Sequence, residues 1–203
     1  MKTSKMIAKT FSEKLLTMEG MSKRTVEEHL KLYQGYVNKY NEITDRIAAL
    51  TDDDFSKANQ VFSSIRSLKT ELSFAWGGVV NHEIYFSHLG GAGGVMSGDL
   101  LKQIIADFGS FDGYKKDVKA SAISARGWVW TVWSKRENKL LNHLGDSQNT
   151  YALWETVPLL ALDTYEHAYF VDFGINRGSY IDAFFENIDW SVVETLFQKA
   201  VNP

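Results

Sequence analysis

The sequence contains no cysteine and only two prolines among its 203 residues. Without cysteine there are no disulfides, thiolate metal sites, iron–sulfur clusters or cysteine nucleophiles, and a reducing compartment suits the chain. Long apolar runs are missing too: no stretch approaches the ~18 residues that suggest a membrane-spanning helix. Met1 to Lys14 mixes Lys and Thr/Ser with single apolar residues instead of a continuous signal-peptide core. A cytoplasmic address and no membrane partner are therefore expected. The net charge is −3, without the basic excess that marks a nucleic-acid partner. An anionic small substrate remains open, because steering depends on the local field in a cleft. Histidine is scarce, with five in the chain, so each can be weighed.

Apolar residues make up 44% of the chain, enough for one large domain or two small ones. Residues 8–19 read as an arm or short helix. Ser22 then opens a run in which Val26, His29, Leu30, Tyr33, Tyr36, Val37 and Tyr40 recur at helical spacing, continuing to about Leu50. Thr51-Asp52-Asp53-Asp54 breaks it and can cap the next helix. A second helical region runs from about Phe55 to Tyr85, with Gly77-Gly78 inside it as a sign of close packing. Gly90 to Gly94 reads as a flexible connector between a helical-hairpin domain, 1–94 with its arm 1–21, and a second domain, 95–203. Beyond it, Ser97–Ala106, Phe111–Ala125, Ser179–Phe185 and Asp189–Phe197 read as helices. Gly127–Trp133, Leu140–Leu144 and Val157–Asp163 read as strands. The expected fold is α+β: a helical hairpin, then a small three-stranded antiparallel sheet surrounded by helices.

His29, His82 and His167 all stand among apolar neighbours, and Asp163 precedes His167 by four residues. One such imidazole is ordinarily a hydrogen-bonded core residue. Three from separate segments, together with Asp163, point to a metal site. His88 and His143, with polar or glycine-rich neighbours, are expected at the surface. Three neutral imidazoles and one carboxylate suit Mn or Fe better than Mg or Ca, and ligand type alone leaves Zn open.

Asp163-Thr-Tyr-Glu-His167-Ala-Tyr-Phe resembles the Asp-x-Trp-Glu-His-Ala-Tyr-Tyr signature of the iron/manganese superoxide dismutases. Other segments resemble that family in the same order: Asn81-His82-Glu-Ile-Tyr85-Phe86, Phe108-Gly-Ser-Phe111, Gly127-Trp128-Val-Trp130, Arg177-Gly-Ser-Tyr180 and Asn187-Ile-Asp-Trp190. The resemblance implies His29, His82, Asp163 and His167 as ligands of one Mn or Fe per subunit. It implies a metal alternating between 3+ and 2+ states while two superoxide anions become O2 and H2O2. It also implies a homodimer or higher oligomer, in which Glu166 reaches the partner's imidazole.

The same resemblance implies further roles. Gln148 stands where manganese-type members carry the glutamine that tunes the metal, and Gly77-Gly78 resembles the pair that leaves space for it. Manganese, or tolerance of either metal, is expected over strict iron. Tyr36 resembles the gateway tyrosine. It lies seven residues after His29, a step that returns to nearly the same face of a regular helix, so no π-bulge is expected. Tyr165, Tyr169, Trp130 and Arg177 are expected around the site, with Arg177 and then Lys31 as candidates for positive charge at the entrance. Three positions depart from the family pattern: Tyr165 and Phe86 replace tryptophans, and the funnel-lining histidine is Leu32 or Tyr33. Altered kinetics are expected from them. A non-catalytic relative with the same fold, or another mononuclear Mn/Fe oxidase, are the alternative readings.

Overall fold

The computed structural model describes residues 5–94, 96–150 and 153–202. Residues 1–4 of the expected arm, and Val95 at the start of the expected second domain, lie outside it. The arm contains a short 3-10 helix, Glu13–Thr17, and leads into α1 (Lys23–Ala48). Ser22 caps α1 by accepting from the Thr25 N–H. The helix is regular throughout, so His29 and Tyr36 share a face without a bulge. Its buried side follows the sequence period through Val26, His29, Tyr33 and Val37.

The second helical region is two helices instead of one. Thr51 and Asp54 form a capping box that starts α2 (Asp52–Ser56). The Asn59 side chain then turns the chain by accepting from the Val61 and Phe62 N–H groups, and Ser63 caps α3 (Ser64–Ser87). Asn and Ser side chains compete with helical hydrogen bonds in this way, which the apolar pattern alone did not register. α1 and α3 pack together as the hairpin.

The glycine connector is pinned, contrary to the flexible link expected. Gly91 N–H donates to the Asn187 carbonyl (3.0 Å) and Gly93 N–H to that of Ile188 (3.2 Å). A Cβ at Gly91 would meet the Ile188–Asp189 backbone at 2.5 Å, so only glycine fits. α4 (Asp99–Phe108) and α5 (Phe111–Ser124) come next, then β1 (Trp128–Ser134), β2 (Lys139–Gly145) and β3 (Thr156–Asp163). The sheet is three-stranded in the order β2-β1-β3, with both pairings antiparallel. β1 is buried along its whole length, as its Val, Thr and Trp residues demand. Its register sets Trp128 opposite Asp163. A 3-10 turn, Glu166–Ala168, leads to α6 (Phe170–Phe173), α7 (Arg177–Glu186) and α8 (Trp190–Val201). Among the described residues no helix is long and apolar enough to cross a membrane. The α+β architecture is the one expected, and α3 lies against β3, bringing hairpin and sheet together.

Candidate metal centre

Four elements meet where α3 lies against the end of β3. His29 comes from α1, His82 from α3, Asp163 from the last position of β3, and His167 from the 3-10 turn after that strand. One ligand atom of each lies within 4.8 Å of the other three. The three Nε2 atoms surround a single carboxylate oxygen: Asp163 Oδ2 is 3.2 Å from His29, 3.6 Å from His82 and 3.1 Å from His167. The other oxygen of Asp163 accepts from the Tyr165 N–H (2.9 Å), which orients the carboxylate. His82, Asp163 and His29 are shielded from solvent, while the His167 side chain keeps 28% exposure.

The donor set fits a metal. His82 Nδ1 faces the Gly78 carbonyl (2.5 Å), a contact in which the ring donates and which turns Nε2 into the lone-pair nitrogen. That Nε2 is buried and has no hydrogen-bond partner, a costly state for a polar atom unless it serves as a ligand. Burial, then the neighbouring His29, lower the pKa of His82 to about 3, so it is neutral at physiological pH. Burial also lowers that of His29. Burial alone would raise the pKa of Asp163, but the charge and hydrogen bond of His167 and the bond from His29 outweigh it and hold the carboxyl ionised. Bonds of about 2.0–2.2 Å to a common ion suit donors at these separations.

The remaining candidates divide by distance from this cluster. Gln148 is fully buried although it sits in a loop. Its Nε2 donates to the Tyr36 hydroxyl (3.2 Å), and its Oε1 accepts from the Trp128 indole (3.0 Å). The Tyr36 ring lies 5.4 Å from that of His82 and lines a 570 Å³ cleft between α1 and α3 with Leu32, Gly35 and Phe74. A Cβ at Gly78 would stand 2.5–2.8 Å from the Tyr36 ring. The Tyr36 ring thus packs directly on Gly78, and Gln148 reaches it through the Tyr36 hydroxyl. Tyr165 stacks on His167 (5.4 Å, 14°). Burial, then Tyr36 and Asp163, push its phenol up to about 12.

Trp130 is one step removed from the cluster: its indole donates to Asn81 Oδ1 (3.3 Å), and the Asn81 amide donates to the Gln148 carbonyl (3.1 Å). Trp128 is the tryptophan that touches the site, packing edge-on against His82 at 5.2 Å. The pairing of Trp128 with Asp163 across two strands was the signal that could have singled it out. Tyr180 was also missed; its hydroxyl donates to the Asp163 carbonyl (2.8 Å) and its ring stacks on Tyr169. Arg177 does not stand free at an entrance. Its guanidinium donates to Tyr169 and to carbonyls at the end of α5, including that of Ala125 (2.7 Å). Lys31 pairs with Glu28 on the exposed side of α1. Glu166 is exposed in the single chain.

Two histidines expected at the surface are not there. His88 is fully buried, with Nε2 3.1 Å from the Ala161 N–H in β3. His143 is half-buried and stacks on Trp130 at 4.9 Å. Their polar sequence neighbours misled because distant elements cover them. Of the two candidates for the funnel position, Leu32 lines the Tyr36 cleft while Tyr33 is buried in the hairpin.

Residues 19–90 match the family model described as the iron/manganese superoxide dismutase alpha-hairpin domain. Residues 96–196 match its C-terminal domain. A relative from Aquifex aeolicus named an iron superoxide dismutase is 44% identical over 186 residues, covering 91% of this chain and 87% of its own length. One from Halobacterium salinarum, named a manganese superoxide dismutase, is 35% identical over 171 residues, with 83% and 82% covered. An iron-named relative from Cupriavidus metallidurans is 35% identical over 188 residues, with 91% and 92% covered. With both family models matched in order across the hairpin and the sheet, the chain belongs to the iron/manganese superoxide dismutases.

Proposed function

We propose that His29, His82, Asp163 and His167 hold the one Mn or Fe ion with which this chain converts two superoxide anions and two protons to O2 and H2O2. The carrying observation is the convergence of three imidazole nitrogens on one carboxylate oxygen, with a buried His82 Nε2 that has no other partner. When bound, the metal would supply one-electron chemistry by alternating between 3+ and 2+ states. The protein's part is to orient the ligands, to favour neutral His82 and His29 and an ionised Asp163, and to hold a proton near the reaction. Asp163 is kept ionised, and Tyr180 and Tyr165 fix its backbone and side chain. The Tyr36 oxygen accepts from Gln148, which leaves its own O–H free to donate. Burial and the nearby Asp163 raise its pKa, so it stays protonated at neutral pH.

Purified protein reconstituted with Mn or Fe is expected to consume superoxide. His82→Ala is expected to lose both bound metal and activity; retention of either would defeat the ligand assignment. A well-folded, metal-loaded parent that leaves superoxide untouched would defeat the reaction.

The preferred ion is Mn, or either metal. This rests on a glycine at position 78 and on Gln148 supplying the amide from the loop after β2. Relatives named for each metal leave both possible. Rates measured after loading with each metal separately decide it, and activity with iron alone overturns the assignment.

The working unit is a dimer. Glu166, the open edge of His167 and the exposed Phe170 and Val171 lie along a short stretch that a second copy would cover. Sedimentation should show a dimer that Glu166→Ala weakens, and a parent monomeric at micromolar concentration would sink the proposal. Division into 1–94 and 95–203 rests on the gap between the two matched stretches. Native-state hydrogen exchange that opens the two stretches as separate cooperative units checks it. The cytoplasmic assignment rests on the missing cysteines, and cell fractionation tests it.

A further inference from the structure

The arm before residue 19 lies outside both stretches matched to the family, yet it is tied to the ligand-bearing helices at three levels. Asn41 of α1 clamps Met6 with both halves of its amide, accepting from the backbone N–H and donating to the carbonyl at 2.8 Å each. The Lys9 backbone N–H donates to the Tyr33 hydroxyl (2.8 Å), which in turn donates to Glu83 Oε1 (3.0 Å). Lys9 Nζ pairs with the other oxygen of Glu83 (2.5 Å). Phe11 then packs against Tyr33 at 5.5 Å and Phe86 at 5.2 Å.

The places where these contacts land decide their meaning. Tyr33 is one helical turn from His29 on α1, and Glu83 directly succeeds His82 on α3. Their bond ties the two helices beside two of the four ligands, and Lys9 supplies the cation and the N–H that complete it. Phe86 packs edge-on against His29 at 4.9 Å and lies 6.1 Å from His82. Phe11 is thus the outer support of the ring that backs both imidazoles. Groups that orient a ligand from behind govern how tightly the ligand holds its ion. With Phe11 removed, Phe86 faces a gap and gains freedom, because a packed ring is held only by the atoms around it.

We propose that Lys9 and Phe11 are positioning residues for the metal ligands, and that the arm is a brace that slows loss of the ion. This rests on the reading that His29 and His82 hold it. The brace is distinct from the hydrogen bonds to Asp163 and Tyr36, which come from the turn after β3, from α7 and from the loop after β2.

The test is metal release from manganese-loaded protein into excess EDTA, with the unfolding temperature of each metal-free variant measured in parallel. Phe11→Ala should release metal about tenfold faster than the parent, the lower end for supports of this kind, and Phe11→Leu should restore most of the retention. Tyr33→Phe keeps the ring and removes both hydroxyl bonds; it should also speed release, and it decides the matter if Phe11→Ala does not fold. Ile104→Ala, in the core of α4 and away from the hairpin, is the control for lost stability. Parental release rates in both Phe11→Ala and Tyr33→Phe overturn the proposal. So does equal acceleration by Ile104→Ala at matched unfolding temperature. A parent that takes up no metal overturns the ligand assignment instead, and the brace with it.

Discussion

Gln148 commits its side-chain amide to Tyr36 and Trp128, and its carbonyl to Asn81. Each partner packs beside His82 or is its sequence neighbour. One loop residue thereby fixes the wall of the site. Gln148→Ala is expected to lower the superoxide turnover rate by about ten- to a hundredfold, the range for groups supporting a ligand set. It should also cost about 1–3 kcal/mol of stability, because the buried Trp128 N–H is left without an acceptor. Stopped-flow decay of superoxide and denaturant unfolding measure the two effects, and an unchanged turnover rate would remove Gln148 from the machinery. The proposed ligands were legible in the sequence because three of the scarce histidines, and Asp163 at the end of an apolar run, stood in apolar settings. Trp128 and Tyr180 were less so, since their importance arises from strand register and from a helix that folds back on β3.

At the scale of elements, helix starts were legible where a side chain caps them, as at Ser22 and Thr51. The break between α2 and α3 was not, because a turn held by the Asn59 side chain leaves the apolar spacing on either side intact. His88 shows the same limit. It comes just after the end of α3 and supports the free edge of β3 through Ala161, with Tyr85 and Phe184 against its ring. Burial lowers its pKa from 6.5 to about 4. As pH falls, the unfolded chain therefore takes up a proton at this position before the folded chain does. The stability contributed is complete above about 6.5 and is lost progressively toward about 4, by up to about 3 kcal/mol. His88→Gln, which has no charge to bury, should narrow its stability gap to the parent between pH 7 and pH 5 in thermal unfolding. A gap that stays constant over that interval would rule out the titration of His88 as the cause.

At the scale of the whole molecule, two of the four proposed ligands come from the hairpin and two from the sheet and the turn after it. The ion therefore binds only when both are folded and together, and its binding free energy adds to the stability of their union. With free metal near a thousand times its dissociation constant the gain is about 4 kcal/mol. For a chain of this size that corresponds to a rise in Tm of roughly 8–16 °C. Calorimetry of loaded and chelator-stripped protein should show a shift of that order in a single transition. Melting of the hairpin alone on stripping, with the sheet untouched, would contradict it. The fold class was legible from the change of period between the two halves. The close fit of the glycine connector against 187–189 was not, because glycines that permit mobility and glycines that permit contact read alike.

Asp163 is the last residue of β3 and faces Trp128 across the pairing with β1. Side chains alternate along a strand, so a slip of one residue would turn this carboxylate to the opposite side of the sheet. The neighbour brought into its place would be Leu162 or Thr164, neither able to do its work. Every molecule that retains its ion has thereby passed an audit of how its strands were zipped. In metal-loaded protein, cross-strand NMR contacts should show the single register that pairs Thr131 with Leu160. A loaded population with slipped contacts would show that the audit fails.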